Sequence, residues 1–160
     1  MLSYCADVLV VEDDPLVAST LGEVLALAGV RGVVLARDGD AALRALASGR
    51  RFDLALVDLM IPPPTGLAVA AEAIGRDIPV LLTSGNLETL DAAGPAGVAV
   101  LAKPFSVERL LAEVRATIET AHRSLAAGRA ERERLIANIR CLREAQRRGR
   151  PRQPAVGRTR

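Results

Sequence analysis

Residues 8–15 read VLVVEDDP. Four apolar residues in a row, Val8 to Val11, lack the polar alternation of a strand with one wet face. They suit a strand buried on both faces of a parallel sheet. Glu12 and Asp13 follow, and then Asp14-Pro15. Asp14 has the side chain of a helix N-cap, and Pro15 suits the first helical position, where its missing N–H costs nothing. Strand, acidic edge and helix start therefore follow one another without a long loop.

The same order recurs along the chain. Short Val- and Leu-rich runs stand at Val8–Val11, Val33–Ala36, Leu54–Val57, Val80–Leu82 and Val98–Leu101. Helical patterns alternate with them. Pro15–Ala28 has Leu16, Leu21, Val24, Leu25 and Ala28 on one side and stops at Gly29, and Gly39–Ser48 stops at Gly49. Gly66–Ile74 is alanine-rich, Leu87–Ala93 is short and ends before Gly94-Pro95, and Ser106 caps a helix beginning at Val107. Five β–α units predict a doubly wound α/β domain with a five-stranded parallel sheet. Its core must be aliphatic, because the chain has no Trp, 1 Tyr and 2 Phe.

Ligands in open α/β sheets bind at the carboxyl ends of the strands. The residues just past the apolar runs are Glu12 and Asp13, Asp58, Thr83 and Ser84, and Lys103. Three carboxylates and one ammonium carry a net negative charge that a divalent cation would relieve. Oxygen donors without His or Cys favour Mg²⁺. A metal beside a carboxylate and a hydroxyl suits phosphoryl transfer with Asp as nucleophile. Taken singly, each residue has an ordinary structural role: Asp14 a helix cap, Asp58 and Ser84 turn formers, Lys103 a solvated side chain.

Four motifs, VLVVEDDP, DLALVDLMIPPPTG, PVLLTSG and LAKPF, in this order over about residues 5–120, strongly resemble the receiver domains of two-component response regulators. The resemblance implies a flavodoxin-like fold and a role for each residue. Asp58 is the phosphoacceptor. Mg²⁺ is held by Asp13, Glu12 through water, Asp58 and the backbone carbonyl of Met60. Ser84 is the switch hydroxyl and Lys103 the phosphoryl partner, with a cis bond between Lys103 and Pro104. It implies a sensor histidine kinase or phosphotransfer protein as donor, and a signalling protein rather than a turnover enzyme. The sequence departs from the family at Val100, where an aromatic is usual, in a shortened span from Ser84 to Lys103, and in the Pro62-Pro63-Pro64 loop. Met60 and Asn86 stand where the family tunes loss of the phosphoryl group.

Charge divides the chain. Residues 1–122 hold 9 Lys/Arg and 16 Asp/Glu, net −7, whereas residues 123–160 hold 12 Arg and 3 Glu, net +9. The acidic part, 1–122, reads as the receiver domain. From Leu111 an apolar heptad runs through Ile118, Leu125, Arg132 and Ile139, and through Val114, Ala121, Gly128, Leu135 and Leu142. It predicts that 123–148 extends the last helix as a coiled-coil segment forming a homodimer. A helical hairpin folding at Gly128 is the alternative. Residues 149–160 lack periodicity and are expected to be a disordered basic tail.

Other readings rest on less. Arg148-Gly149-Arg150-Pro151 matches the core of an AT-hook, so a DNA-associated regulator using the Arg-rich tail is an alternative. A magnesium-dependent aspartyl-phosphate phosphatase of the haloacid dehalogenase type needs its Asp pair after the first strand, where Glu12 and Asp14 stand instead. Cys5 and Cys141 have no metal-ligand spacing, the N-terminus does not read as a signal peptide, and no apolar stretch approaches the ~20 residues of a membrane helix. A cytoplasmic location with no membrane partner is expected.

Overall fold

The computed structural model describes residues 6–85, 98–124 and 129–148. Five parallel strands, β1 (Asp7–Val11), β2 (Gly32–Ala36), β3 (Leu54–Asp58), β4 (Val80–Ser84) and β5 (Ala99–Ala102), form one sheet in the order β2-β1-β3-β4-β5. Among the described residues five helices accompany them: α1 (Pro15–Leu27), α2 (Gly39–Ala47), α3 (Gly66–Gly75), α4 (Val107–Ser124) and α5 (Arg129–Arg148). The expected doubly wound sheet is present. The short helix expected at Leu87–Ala93 lies outside the described residues.

Local chemistry accounts for the boundaries. Asp14 Oδ1 accepts the N–H groups of Leu16 and Val17 at 2.8 and 3.1 Å, so this carboxylate caps α1. Asp38 caps α2 through the Ala41 N–H, and Thr65 caps α3 through Ala68. Ser106 Oγ accepts the Arg109 N–H at 3.2 Å in the first turn of α4. Leu16, read from periodicity as part of the buried stripe of α1, is 75% exposed, while Ala18, Leu21 and Leu25 are buried. It lies in the first turn, beyond the carboxyl edge of the sheet.

The strands β3 and β4 are buried throughout, as continuous apolar runs predict. The edge strands differ: β2 leaves Leu35 exposed, because an edge lacks a neighbour and full cover. Two aliphatic layers result. On one face Val8, Val10, Leu56 and Leu81 pack with Leu21 and Leu25 of α1 and with Leu110, Val114 and Ile118 of α4. On the other, Leu9, Val57, Val80 and Leu82 pack with α2, α3 and Ile139 of α5.

This division corrects the reading of the heptad. Val114 and Ile118 face one side of the sheet, and Ile139 with Leu135 packs into the layer on the other. Helix α5 lies against α3. Leu111, Val114, Ile118, Leu135 and Ile139 are therefore packed within one chain, with α4 and α5 covering opposite faces of the sheet rather than forming one continuous seam. The misreading has a physical origin. A stripe of three or four apolar residues per two turns is what a helix covering a sheet needs as much as what a coiled coil needs. The boundary expected at residue 122 also falls inside α4. The expected tail, 149–160, lies outside the described residues.

Candidate functional site

The strand order reverses direction between β1 and β3, and the crevice at such a switch point is where this topology holds ligands. Glu12 and Asp13 leave the end of β1, and Asp58 is the last residue of β3. One carboxylate oxygen from each of Glu12, Asp13 and Asp58 lies within 4.8 Å of the others. Glu12 and Asp58 are buried, at 3% and 6% exposure, and Asp13 faces solvent.

Lys103, just past β5, reaches the same point. Its Nζ donates to Asp58 Oδ2 at 2.6 Å and to Glu12 Oε2 at 2.7 Å. The Glu12 contact was not anticipated from sequence, because nothing in the spacing says which carboxylate a lysine will meet. The second oxygen of Asp58, Oδ1, accepts the Met60 N–H at 2.8 Å. The Asp58 carboxylate thus has a fixed orientation, held by one ammonium and one backbone amide.

Burial pushes the Glu12 carboxyl above its ordinary value, and the Lys103 hydrogen bond and charge oppose that rise only in part. Burial alone would lower the Lys103 ammonium, but its hydrogen bonds to Asp58 and Glu12 and their charges outweigh it, so its value is raised. The lysine is therefore a firmly protonated partner for whatever negative charge occupies the crevice.

Backbone bonds tie the remaining pieces together. The Leu59 N–H donates to the Thr83 carbonyl at 2.9 Å, and the Lys103 N–H to the Ser84 carbonyl at 2.8 Å. Ser84 is wholly buried at the end of β4, next to β3. The loop after Asp58 turns tightly into α3: a Cβ on Gly66 would collide with the Asp58 carbonyl. A Cβ on Gly39 would likewise meet the Pro64 carbonyl, so the proline loop rests directly on the start of α2. The Lys103–Pro104 bond is cis as expected, and Pro63–Pro64 is cis as well. Met60 is exposed on this loop. Asn86 lies outside the described residues.

Residues 8–115 match the response regulator receiver domain family. The chain belongs to that family. Among relatives, it is 34% identical over 112 residues to the transcriptional regulatory protein DltR of Streptococcus agalactiae, covering 67% of this chain and 49% of the relative. It is 40% identical over 119 residues to the response regulator MprA of Mycobacterium ulcerans, covering 69% and 49%. The chain thus spans about half the length of the curated relatives it matches. Among solved structures, NtrX of Brucella abortus in complex with ATP is similar with a TM-score of 0.70 and 28% identity, over 78% of this chain and 29% of that one. A CheY-like receiver domain protein from Methanospirillum hungatei shares the fold, with a TM-score of 0.66 and 22% identity over 74% and 98%.

Receivers are the phosphorylation-controlled modules of two-component systems and work with Mg²⁺ and with histidine kinases or phosphotransfer proteins. The receiver's acidic crevice fits that ion. Its donors are all oxygens, two of the three carboxylates are buried, and their spacing lets them share one hard cation. Among the described residues no helix is long and apolar enough to cross a membrane.

Proposed function

We propose that this receiver accepts a phosphoryl group on Asp58 from a sensor histidine kinase or a phosphotransfer protein and signals through contacts with a protein partner. The observation that carries the reading is the state of the Asp58 carboxylate. It is buried, fixed by the Met60 amide, and paired at 2.6 Å with the ammonium of Lys103.

A carboxylate oxygen of Asp58 forms the new bond to phosphorus while the bond from phosphorus to the donor's nitrogen or oxygen breaks, and the donor leaves with that electron pair. Negative charge spreads over the three peripheral phosphoryl oxygens, so catalysis is mostly positioning and charge stabilisation. Lys103 supplies a positive charge at the crevice, and the Ser84 hydroxyl supplies a donor at the adjoining strand end. Magnesium, held by Asp13, Asp58 and the Met60 carbonyl with Glu12 through water, would add charge neutralisation at those oxygens. Because Asp58 keeps the group, the event is a modification rather than a turnover.

The test is incubation of the full chain with acetyl phosphate and Mg²⁺, read by intact mass and by peptide mapping. One phosphoryl adduct on the Asp58 peptide is expected, abolished by Asp58→Asn and by chelation of the metal. An adduct that survives Asp58→Asn, or no adduct on the native chain, would overturn the assignment.

Homodimerisation through the C-terminal helix remains a separate proposal. It requires α5 to leave its place beside α3, since Ile139 and Leu135 are occupied there. Light scattering across a concentration series, with and without acetyl phosphate, distinguishes a monomer from a dimer formed on release.

A further inference from the structure

Helix α5 runs toward the candidate site. Helix α4 follows β5 and so starts at the carboxyl edge of the sheet. Its 18 residues span about 27 Å, against about 17 Å for a strand of 5 residues, so it ends at the amino edge. Residues 125–128 alone separate it from α5, which therefore starts at that edge. Further along, Ile139 packs with Val80 and Leu82 of β4, while the helix lies against α3. From Ile139 to Arg148 the helix rises about 14 Å more, toward the edge where α3 begins. Gly66, the first residue of α3, stands so close to the Asp58 carbonyl that a Cβ would collide with it. The carboxyl end of α5 thus lies at the same edge as the crevice.

The chain that leaves α5 there is strongly basic: residues 145–160 hold 6 Arg and no Asp or Glu. The edge it meets is acidic. Asp13, Asp14, Asp38 and Asp40 are exposed around the ends of β1 and β2, beside the buried Glu12 and Asp58. Among the described residues there, Arg37 and Lys103 are the cations that oppose these six carboxylates. The amino edge offers less to a basic segment, because Asp7 is already paired with Arg31 and Arg50, and Arg51 and Arg76 are exposed. Residues 149–160 reach at most about 40 Å when extended. A domain of about 100 residues has a radius of gyration of about 13 Å, so the crevice is within that reach.

We propose that residues 149–160 dock across the acidic mouth of the crevice and compete there with Mg²⁺. A guanidinium is a planar fork that pairs with carboxylates, and Asp13 is the exposed carboxylate of the metal cluster, open to either cation. Each exposed ion pair is weak and screened by salt. The tether compensates: a segment held this close is present at about millimolar concentration, so a pairing of about millimolar strength weakens Mg²⁺ binding at least about twofold. The tail thereby sets the Mg²⁺ level at which the site fills. The inference rests on the crevice holding Mg²⁺, and not on which residue takes the phosphoryl group.

The experiment compares the full chain with a full-length variant carrying Arg150→Gln, Arg152→Gln, Arg158→Gln and Arg160→Gln. Titration calorimetry reads Mg²⁺ affinity, and amide NMR shifts are recorded in chelator. At about 0.01 M ionic strength, where the Debye length is about 30 Å, the variant should bind Mg²⁺ at least about twofold more tightly; at about 1 M, where it is about 3 Å, the two should agree. In chelator at low salt the amides of Asp13, Asp38 and Asp40 should differ between the two chains, while those of Asp7 and Asp53 at the opposite edge should not. Equal affinities with unchanged shifts overturn the docking and leave the metal site standing. Shift differences that grow with protein concentration place the tail on a second copy and overturn it as an intramolecular contact. Equal affinities with salt-sensitive binding of A·T-rich duplex DNA by the native chain alone assign the tail to nucleic acid and overturn it too. No Mg²⁺ binding by either chain overturns the competition and the metal site together.

Discussion

The Lys103 ammonium stands 2.6 Å from Asp58 Oδ2, and the same nitrogen also serves Glu12. One cation therefore holds two buried carboxylates together. Removing it leaves both uncompensated, and breaking a buried pair in this way is strongly destabilising. With Lys103 partly open to solvent, Lys103→Met should lower the unfolding free energy by about 2 kcal/mol in chelator. Added Mg²⁺ should recover part of the loss, because it supplies the missing positive charge. Urea melts with and without Mg²⁺ check both effects; a variant as stable as the native chain in chelator would contradict the first.

Asp13 differs from Glu12 and Asp58 in being exposed to solvent. Asp13→Asn should therefore leave the fold intact and weaken Mg²⁺ binding by about tenfold or more, since even outer partners of metal ligands cost that much. Titration calorimetry reads the affinity directly. Unchanged affinity would remove Asp13 from the ligand set.

Gly66 has no room for a side chain against the Asp58 carbonyl. Gly66→Ala must push the acceptor strand and α3 apart, a form of overpacking that costs about 1–3 kcal/mol. The same shift displaces Asp58 from Lys103, so adduct formation should fall along with the melting temperature. A stable variant with native phosphorylation would show that the loop yields without moving the site.

Met60 is apolar and exposed on the loop that follows Asp58, and a thioether orients a water molecule poorly. Once formed, the phosphoryl group should persist for minutes or longer in magnesium buffer. Met60→Asn should shorten that lifetime by offering a hydrogen-bonding side chain at the same place. Decay of the native adduct within seconds rules the idea out.

At the amino-terminal edge of the sheet, Asp7 Oδ2 pairs with Arg31, and Oδ1 with Arg50 Nη2 at 3.2 Å. The Arg31 hydrogen bond is the main reason that the Asp7 carboxyl sits below its ordinary 3.8, with Arg50 adding to the effect against a smaller cost of burial. A depressed carboxyl contributes stability above its unfolded value and loses it as pH falls through the folded one. The stability gap between the native chain and Asp7→Asn should hold steady from neutral pH to about 4 and close below that. A gap that persists into strong acid would contradict the assignment.

Much of this molecule could be read along the chain. The strand runs, the Asp14 and Ser106 helix starts and the row of residues at the strand ends depend on local chemistry and on the handedness of β–α units. Three strands, β1, β3 and β5, bring Glu12, Asp13, Asp58 and Lys103 to one crevice because each residue stands at the same end of its strand. Two expectations fared worse for one reason. Leu16 and the heptad were read from periodicity, which reports that a helix has an apolar side and not what that side meets.

The sequence by itself therefore determined the sheet, its order of elements and the chemistry offered at its carboxyl edge. Periodicity and capping are properties of neighbours along the chain. Only the tertiary structure decided that Lys103 bridges Glu12 as well as Asp58, that Val114 and Ile139 lie on opposite faces of the sheet, and that α5 rests beside α3. These are contacts between residues distant in sequence. An apolar stripe or a lysine can satisfy itself against any matching surface, and the choice among surfaces is made by the packing of the whole.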